Sequence, residues 1–411
     1  MIVKILLIHN KYKQPGGEDG VFKAEGELLA GFGHTVDEIV LDNSEIGGFL
    51  NKCLNGIRLL YNPKSAKLIR KKIENFKPDV IHVHNFVPLV SPAVFWVASR
   101  HKIPVILTLH NFRLICPSAT LFHKNFIYED SLKSVFPIDA ICKGVYRNSI
   151  IETAILATVI SFHHMIGTWK NKVDFYIALT SFARDKFISA RMPLPIEKVL
   201  VKPNSVPDSG MGQARRRDHF LFVGRLVEEK GLRTVLQAAQ LLAFRLIIIG
   251  DGPLQEEVIE TSKVNPNVVY LGPQNKATVI SHMKACAALV FPSLWYEGLP
   301  LTMIEAFSAG TPVIATNHGA MQELIQHGFN GLLYEPGRER ELVHCIDDIM
   351  HERVDVNMIS ENARSTYLRY FTPERNYNSL LTIYNRAIAM KHASPNKWKN
   401  KLIHEMESAT S

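Results

Sequence analysis

Residues 291–316 read FPSLWYEGLPLTMIEAFSAGTPVIAT. The stretch continues the apolar run ALVF and ends with the apolar run PVIAT, and each run is typical of a buried strand. Pro300 favours a helix start between the two runs, since a proline in the first turn of a helix loses no hydrogen bond. Gly310 and Pro312 favour the end of that helix. The stretch therefore predicts a strand, a loop, a helix and a second strand.

The amino end of this predicted helix is a candidate phosphate site. The first backbone N–H groups of a helix have no partner inside the helix and attract anions. The residues expected to line this site are Gly298, Leu299, Pro300 and Leu301, and all of them except Pro300 have an N–H group to offer. Glu297 in the loop and Glu305 in the helix frame the site, and a carboxylate can accept hydrogen bonds from two hydroxyls of a ribose or another sugar. Each glutamate alone could equally be a solvated surface acid.

The length of 411 residues predicts two domains, since one hydrophobic core rarely serves so long a chain. Strands and helices alternate up to residue 205, which predicts a doubly wound α/β domain over 1–205. The polar run VPDSGMGQARRRD then marks a boundary, and a second alternating unit predicts a similar domain over 206–372. We expect a final helix over 373–390 and a tail over 391–411.

The net charge of +8 lies in the first half of the chain. Residues 1–205 hold 26 Lys and Arg against 17 Asp and Glu, whereas the remainder holds 21 against 22. Such an excess suits an anionic partner, and lipid headgroups fit better than nucleic acid, for which the sequence has no motif. A solvated helix face is the alternative. The basic residues concentrated over 52–77 are Lys52, Arg58, Lys64, Lys67, Arg70, Lys71, Lys72 and Lys77.

Cysteine usage and the apolar segments predict a cytoplasmic protein. The five cysteines are odd in number and form no C-x-x-C pair, which favours reduced thiols. The first residues, MIVKILLIHN, are too short for a signal sequence and predict a strand. Residues 149–169 are apolar, but Glu152, His163 and His164 interrupt them. We therefore expect a buried helix there, with an interfacial helix as the alternative, rather than a membrane span.

Polar residues follow several predicted strands of the first domain. Gly16 and Gly17 lie between the first strand and a helix, where glycine lets the backbone approach a ligand closely. His110 follows the predicted strand at 105–109, and ligands of open α/β sheets bind at such strand ends. His82 and His84 end another strand, but no acid or cysteine lies at ligand spacing from them. We therefore expect no metal site.

The predicted strand at 220–223 leads to Arg225 and Lys230. Arginine suits two-point contacts with phosphate, and lysine supplies a compact positive charge. Both at the carboxyl end of one strand could neutralise a diphosphate. An ordinary surface turn is the alternative.

Three motifs resemble family 4 of the retaining glycosyltransferases. The string E-G-x-P-x-x-x-x-E-A-x-x-x-G-x-P-V-I-A, residues 297–315, resembles the donor-binding signature with its paired glutamates. The string G-R-L-x-x-x-K-G at 224–231 resembles the second signature of the same family. The run LHNFRLxCP at 109–117 resembles a branch that builds bacterial surface polysaccharides. The resemblance covers nearly the whole chain.

The resemblance implies a GT-B fold, in which two Rossmann-like domains face each other across a cleft and the final helix crosses back. It implies sugar transfer from a nucleotide-diphosphate sugar with retention at the anomeric carbon. Arg225 and Lys230 would hold the diphosphate, which Gly16 and Gly17 would cover from the first domain. Glu305 would hold the ribose. The catalytic residues would be His110 and Glu297 beside the donor sugar, with Arg225 and Lys230.

A lipid-linked saccharide is the expected acceptor, which would place the protein at the cytoplasmic face of the inner membrane. The sequence contains no D-x-D motif, so we expect metal-independent activity and no cofactor. Two other functions stay open. A nucleotide-sugar 2-epimerase can share the fold, and a non-catalytic protein could merely bind the nucleotide sugar. A dehydrogenase is disfavoured, because G-x-G-x-x-G is missing.

Overall fold

The computed structural model describes residues 2–11, 16–42, 58–212 and 219–392. It contains two six-stranded sheets whose strands all run parallel, and helices pack against both. The prediction of two doubly wound α/β domains is confirmed. The domain bounds themselves stay predictions, and of the boundary run only residues 206–212 lie in the described part of the chain.

The first sheet has the strand order β2-β1-β3-β4-β7-β8, and β5 and β6 form a separate hairpin. Its central strands are buried on both faces, as expected where helices cover both sides of a parallel sheet. The strands of this half are β1 (Lys4–Lys11), β2 (Thr35–Asp42), β3 (Val80–Val83), β4 (Val105–Leu109), β5 (Phe122–His123), β6 (Phe126–Ile127), β7 (Phe175–Ala178) and β8 (Val199–Val201). The helices are α1 (Gly17–Gly31), α2 (Pro63–Phe76), α3 (Ala93–Arg100), α4 (Ile138–Lys143), α5 (Ile150–Met165), α6 (Thr168–Asn171) and α7 (Ser181–Ser189).

The second sheet has the order β11-β10-β9-β12-β13-β14. Its strands are β9 (His219–Val223), β10 (Arg245–Ile249), β11 (Val268–Gly272), β12 (Ala288–Phe291), β13 (Val313–Thr316) and β14 (Gly331–Tyr334). The helices are α8 (Leu232–Leu241), α9 (Gln255–Val264), α10 (Lys276–Ala285), α11 (Leu301–Ser308), α12 (Gly319–Leu324), α13 (Glu339–Met350), α14 (Val356–Tyr370) and α15 (Pro373–His392).

The stretch 291–316 folds as β12, a loop, α11 and β13. One detail of the prediction was wrong: Pro300 is the N-cap, in extended backbone, and the helix proper begins at Leu301. Gly310 follows the helix with φ +61°, a conformation that glycine adopts without steric cost. Met303, Ile304 and Phe307 are fully buried, so the apolar face of α11 anchors the loop before it to the second core.

The last helix packs on the first sheet, although it follows the second domain in sequence. Leu380, Ile383 and Tyr384 of α15 are buried in one cluster with Ile5 and Ile106 of β1 and β4. Burying such side chains stabilises the fold by about 1.5 to 3 kcal/mol each. The chain therefore crosses between its two halves twice, once before β9 and once into α15.

The segment 149–169 is neither wholly buried nor a membrane span. Leu156, Val159 and Ile160 of α5 are buried, whereas Ile151 and Met165 are 73% and 78% exposed. Burial therefore describes only one side of this helix. Among the helices of the described ranges, none has both the length and the apolar character that crossing a bilayer requires.

Candidate functional site

Glu297 is the centre of a buried polar cluster in the loop before α11. Only 8% of Glu297 is exposed, and the Nζ of Lys230 lies 2.6 Å from its Oε1. The Ser293 hydroxyl and the Trp295 indole N–H each donate to the same oxygen at 2.7 Å. Two residues predicted to share a site, Glu297 and Lys230, are thus in direct contact.

The Lys230 side chain is placed by a tight turn after β9. Gly231 ends this turn with φ +68°, and a Cβ atom there would lie 1.8 Å from the carbonyl oxygen of Pro292. Only glycine fits such a contact, so the turn is pressed against the end of β12. Burial would raise the pKa of Glu297, but the Lys230 charge and the hydrogen bonds together hold this pKa below its ordinary value. Glu297 is therefore ionised at neutral pH.

The two halves of the molecule meet at Gly298. A Cβ atom on this residue would lie 2.9 Å from the carbonyl oxygen of His110, at the end of β4. The hydroxyl of Thr180 donates to the carbonyl of Gly298 at 3.5 Å. Glu323 of α12 also accepts hydrogen bonds from the first two N–H groups of α7. The loop with Glu297 therefore faces the strand ends of the first domain.

Gly17 faces the amino end of α11, since a Cβ atom on it would lie 3.9 Å from the Leu301 side chain. The N–H of Gly16 is already occupied, because it donates to the Asp19 carboxylate at 2.7 Å. Leu299 is buried in the second core, so only its backbone can serve a ligand. A phosphate at this helix end would meet Gly17 and Leu301 from opposite sides of the cleft.

The other predicted donor residues lie nearer the surface. Glu305 on α11 forms a close ion pair with Lys276 at the start of α10. Arg225 is 54% exposed and lies 3.8 Å from Glu229. Sequence reasoning missed Lys276, because 29 positions separate it from Glu305 and no motif contains it. Binding a ribose at Glu305 would require this pair to open.

His110 is connected to a buried network that the sequence analysis missed. Its Nε2 lies 3.1 Å from the Nδ1 of His84, whose Nε2 lies 3.1 Å from Glu25. The same Glu25 oxygen lies 2.9 Å from His82, and the Lys202 ammonium lies 3.4 Å from the other. Glu25 was detectable, because it shares the buried side of α1 with Val21, Phe22 and Leu29.

The network fixes the protons on His110. Burial would raise the pKa of Glu25, but Lys202 and the two histidines together hold it well below its ordinary value. The ionised Glu25 can only accept, so the Nε2–H of His84 donates to it. His84 Nδ1 then accepts from the Nε2–H of His110. Burial lowers the pKa of His84 to about 4, and burial with neighbouring His84 lowers that of His110 well below its ordinary value. His110 is therefore neutral, and its Nδ1 remains for a ligand.

Glu25, His82 and His84 have the composition of a metal site, and their ligand atoms lie within 4.8 Å of one another. We expected no metal site because no acid lies at ligand spacing from His82 and His84 in the sequence. That reason was incomplete, because Glu25 lies beside both histidines in the fold. The described geometry favours hydrogen bonding, since the 2.9 Å and 3.1 Å separations suit direct N–H···O bonds. The fully buried Lys202 already supplies positive charge to Glu25.

Two family profiles match the chain. The profile described as Glycosyltransferase Family 4 matches residues 46–209, and the one described as Glycosyl transferases group 1 matches residues 212–366. The chain belongs to glycosyltransferase family 4. The resemblance identified in the three sequence motifs is thus confirmed, and both halves of this family 4 chain take part in it.

A relative from Escherichia coli matches over most of this family 4 chain. It is called UDP-Gal:alpha-D-GlcNAc-diphosphoundecaprenol alpha-1,3-galactosyltransferase, and it is 27% identical over 84% of each chain. An uncharacterized 42.6 kDa protein in the cps region of Klebsiella pneumoniae is 29% identical over 67% of each chain. Matches to three further glycosyltransferases span only 41%, 45% and 47% of their lengths.

Solved structures show the fold. The Anabaena protein HepE, in complex with UDP, superposes with a TM-score of 0.66 over 93% of this chain and 99% of its own, at 17% identity. At that identity the likeness supports the architecture alone. The predicted GT-B arrangement is confirmed.

Proposed function

We propose that the protein transfers a sugar from a nucleotide-diphosphate sugar to a lipid-linked saccharide, with retention at the anomeric carbon, in the synthesis of a bacterial cell-surface polysaccharide. Capsule, exopolysaccharide and lipopolysaccharide are the candidate products. The observation that carries this proposal is the buried pair of Lys230 and Glu297, which lies beside the amino end of α11. Gly17 and His110 of the first domain close on the same place.

The leaving diphosphate would take its charge stabilisation from Lys230, Arg225 and the first N–H groups of α11. Charges and amides aimed at a developing anion accelerate reactions by lowering the barrier selectively. The ionised Glu297 and the neutral His110 would contact the donor sugar. With Nε2–H committed to His84, the Nδ1 of His110 would accept a hydrogen bond from a sugar hydroxyl.

The reaction we propose occurs on one face of the sugar. The acceptor oxygen attacks the anomeric carbon as the bond to the leaving phosphate oxygen breaks, and that oxygen takes the acceptor proton. A covalent intermediate on Glu297 is the alternative. Trapping of a glycosyl adduct on Glu297 by mass spectrometry would refute the one-face reaction.

The names of relatives support the choice of substrates. The E. coli relative is named for UDP-galactose and for an acceptor on diphosphoundecaprenol. UDP is accordingly the first nucleotide to test, and an acceptor with a diphosphate and a polyprenyl chain is the first acceptor. The bacterial surface-polysaccharide motif at 109–117 agrees with such an acceptor.

A thermal-shift screen tests the donor site. Nucleoside diphosphates and their sugars are added to wild type, to Arg225→Ala, and to Arg340→Ala as an exposed control on α13. We expect one nucleotide series to stabilise the wild type and the control but not Arg225→Ala. Binding at a hundredfold excess over Kd adds about 2.7 kcal/mol to the free energy of unfolding. The absence of any shift in the wild type would refute the proposal.

We propose further that transfer needs no metal. The diphosphate would be neutralised by Arg225 and Lys230 rather than by a cation. Activity measured in EDTA should equal activity in buffer alone. Loss of transfer in EDTA that magnesium or manganese restores would refute metal independence.

A third part of the proposal concerns the membrane. On the exposed side of α2 lie Lys64, Lys67, Arg70 and Lys71, whereas Lys72 pairs with Asp37 at 2.8 Å. Lys52 of the predicted basic segment lies outside the described residues. Each basic group near an anionic bilayer contributes about 1 kcal/mol. Failure of the protein to sediment with anionic liposomes at low salt would refute peripheral attachment.

A further inference from the structure

Two arginines of the first domain stack on one tyrosine. The guanidinium carbons of Arg113 and Arg147 lie 5.1 Å and 5.0 Å from the centre of the Tyr146 ring. The face of an aromatic ring attracts such cations, which allows two positive charges to stand near each other. The two guanidinium carbons therefore lie no more than about 10 Å apart, and two guanidinium groups at such a separation can bind the oxygens of one diphosphate from two sides.

The backbone beside this guanidinium pair, Arg113 and Arg147, is held in an uncommon conformation. Arg147 and Asn148 have φ of +54° and +53°, and neither is glycine. Residues in this region cost free energy and persist where the surroundings demand them, often at ligand sites. Thr153 of α5 holds the preceding residue, since its hydroxyl accepts from the Tyr146 N–H at 3.0 Å. The turn therefore presents Arg147 from a fixed base.

The guanidinium pair lies between the cleft and α5. Arg113 lines one pocket together with His110 and Asn111. On the other side, Arg147 is followed within two residues by Ser149, the N-cap of α5. Arg147 also lies 3.5 Å from Glu152, whose charge offsets part of its own. An acceptor with its sugar in the cleft beside the donor sugar and its phosphates on the pair would continue towards α5.

The exposed side of α5 is apolar except for Thr158, whose hydroxyl donates to the Ala154 carbonyl of the same helix. Ile151, Phe162 and Met165 are 73%, 38% and 78% exposed, and the half-buried Ile155 lies between them at helical spacing. We refer to these four residues as the apolar stripe. A helix of 16 residues is about 24 Å long, so the stripe extends well away from the pair. Exposed apolar surface of this extent usually marks an interaction site.

The apolar surface continues beside α5. The hydroxyl of Ser161 donates to the carbonyl of Val135 at 2.9 Å, which joins α5 to the segment before α4. Val135 and Phe136 in that segment and Ile138 at the start of α4 are 55%, 42% and 64% exposed. Positive charge thus lies at one end of a largely apolar exposed region, an arrangement that matches an amphiphile with phosphates between a sugar and a hydrocarbon chain.

We propose that the guanidinium pair binds the diphosphate of a polyprenyl-diphosphate-linked acceptor and that the apolar stripe binds its hydrocarbon chain. This inference rests on the proposed function, because it assigns the acceptor half of the same site. The order along the molecule is acceptor sugar in the cleft, next to the donor sugar that His110 contacts, then phosphates at Arg113 and Arg147, and chain along α5. The acceptor is then recognised by its lipid carrier as well as by its sugar.

Calorimetric titration of the full chain with farnesyl diphosphate tests the subsite. Saturating UDP is present so that the donor site is filled. We expect the wild type to bind farnesyl diphosphate at least about tenfold more tightly than inorganic diphosphate or farnesol. Arg147→Ala should weaken this binding about tenfold or more, the effect of a charge-assisted contact. Arg100→Ala, an exposed arginine on α3, is the matched control and should leave the affinity unchanged.

A double variant tests whether the apolar stripe binds the hydrocarbon chain. Ile151→Ser with Phe162→Ser should weaken farnesyl diphosphate binding severalfold and leave binding of inorganic diphosphate unchanged. Ile196→Ser, at a site 57% exposed elsewhere in the same domain, is the control. Equal affinities of Arg147→Ala and Arg100→Ala would overturn the phosphate assignment. A stripe variant that turns a dimer into a monomer in ultracentrifugation would show a self-association face and overturn the chain assignment.

The two proposals fail in different ways. A wild type that binds UDP but not farnesyl diphosphate would overturn this inference and leave the proposed donor chemistry intact. A wild type that binds farnesyl diphosphate but no nucleotide would leave the subsite intact and refute the proposed transfer.

Discussion

The two sides of the cleft differ in what their charged groups already hold. On the first-domain side, His110 ends a closed chain of hydrogen bonds through His84 to the buried Glu25. On the second-domain side, Glu297 and Glu305 are paired one-to-one with Lys230 and Lys276. A ligand can approach His110 without breaking its network, whereas it must share or open the pairs opposite.

This difference indicates a division of work. The first-domain side is preorganised, because the tautomer and charge of His110 are set before any ligand arrives. The second-domain side exchanges partners, because a diphosphate would draw Lys230 away from Glu297 and a ribose would draw Glu305 away from Lys276. Preorganised groups favour rate.

The largest effect is expected for Lys230→Ala on the exchanging side. The change removes the proposed diphosphate contact and leaves Glu297, only 8% exposed, without its cation. Binding of the nucleotide diphosphate should fall at least about a hundredfold, and the free energy of unfolding should fall by about 3 kcal/mol. Calorimetry and urea unfolding measure the two. The control Lys263→Ala breaks an exposed pair with Glu260 and should change neither; equal results for both variants would contradict the assigned role.

Glu25→Gln disrupts the hydrogen-bond network of the first-domain side. The fully buried Lys202 loses its carboxylate, and His84 faces an amide that can accept or donate, so the proton on His84 is no longer fixed. The free energy of unfolding should fall by about 3 kcal/mol, and the ¹⁵N shifts of the His110 ring should change from those of one neutral tautomer to a mixture. Glu25→Asp should restore part of the single-tautomer signal. Unchanged ¹⁵N shifts of the His110 ring in Glu25→Gln would show that the network does not set the tautomer of His110.

The pH dependence of stability tests the His84 network on the first-domain side. The pKa of His84 is about 4 in the folded chain and 6.5 ordinarily, so below pH 6.5 the unfolded chain binds a proton that the folded chain does not. Stability from this group is complete above pH 6.5 and is lost as the pH falls towards 4, by about 3 kcal/mol. The Glu297 carboxyl, whose pKa is lowered from 4.5, begins to lose its contribution only as the pH falls through about 4.5.

Urea unfolding of wild type and His84→Gln across pH 4 to 7 measures this effect. The slope against pH should be shallower in the variant, whatever its absolute stability. An identical slope would mean that another group controls the pH dependence.

The smallest effect is expected for Lys276→Ala. This change frees Glu305 from a partly exposed pair, in which Lys276 is 60% exposed. Such pairs are worth at most about 1 kcal/mol, so nucleotide affinity should rise no more than about fivefold. The same titration measures it. Weaker nucleotide binding would contradict the proposal that Glu305 exchanges Lys276 for the ribose. It would indicate that Lys276 itself contacts the nucleotide.

Local sequence predicted the fold and part of the site. The strands and the helix of 291–316 were predicted correctly. The signals used were the spacing of apolar residues, a proline and a glycine, and each acts over a few neighbouring residues. Lys230 and Glu297 were named because each belongs to a family motif. The helix begins at Leu301, one position later than the prediction that placed Pro300 in its first turn. A difference of one position is the usual uncertainty at a helix end.

The missed residues share a physical reason. Glu25 contacts His84 across 59 positions and Lys202 across 177, and Lys276 meets Glu305 across 29. Such pairs are made by tertiary packing, and no local pattern encodes which strand end a helix side chain will face. The two sides of α5 were likewise inseparable by hydropathy, because the buried and the exposed side are both apolar.

Sugar transfer from a nucleotide-diphosphate sugar is tested most directly by following donor and product together. The protein is incubated with UDP-sugars, with and without an N-acetylglucosaminyl diphosphate carrying a short polyprenyl chain, and the products are observed by NMR. We predict that UDP is released only when the acceptor is present and that an α-configured donor gives an α-linked product. Conversion of the donor sugar to its epimer without acceptor, or a β-linked product, would contradict the proposed retaining transfer.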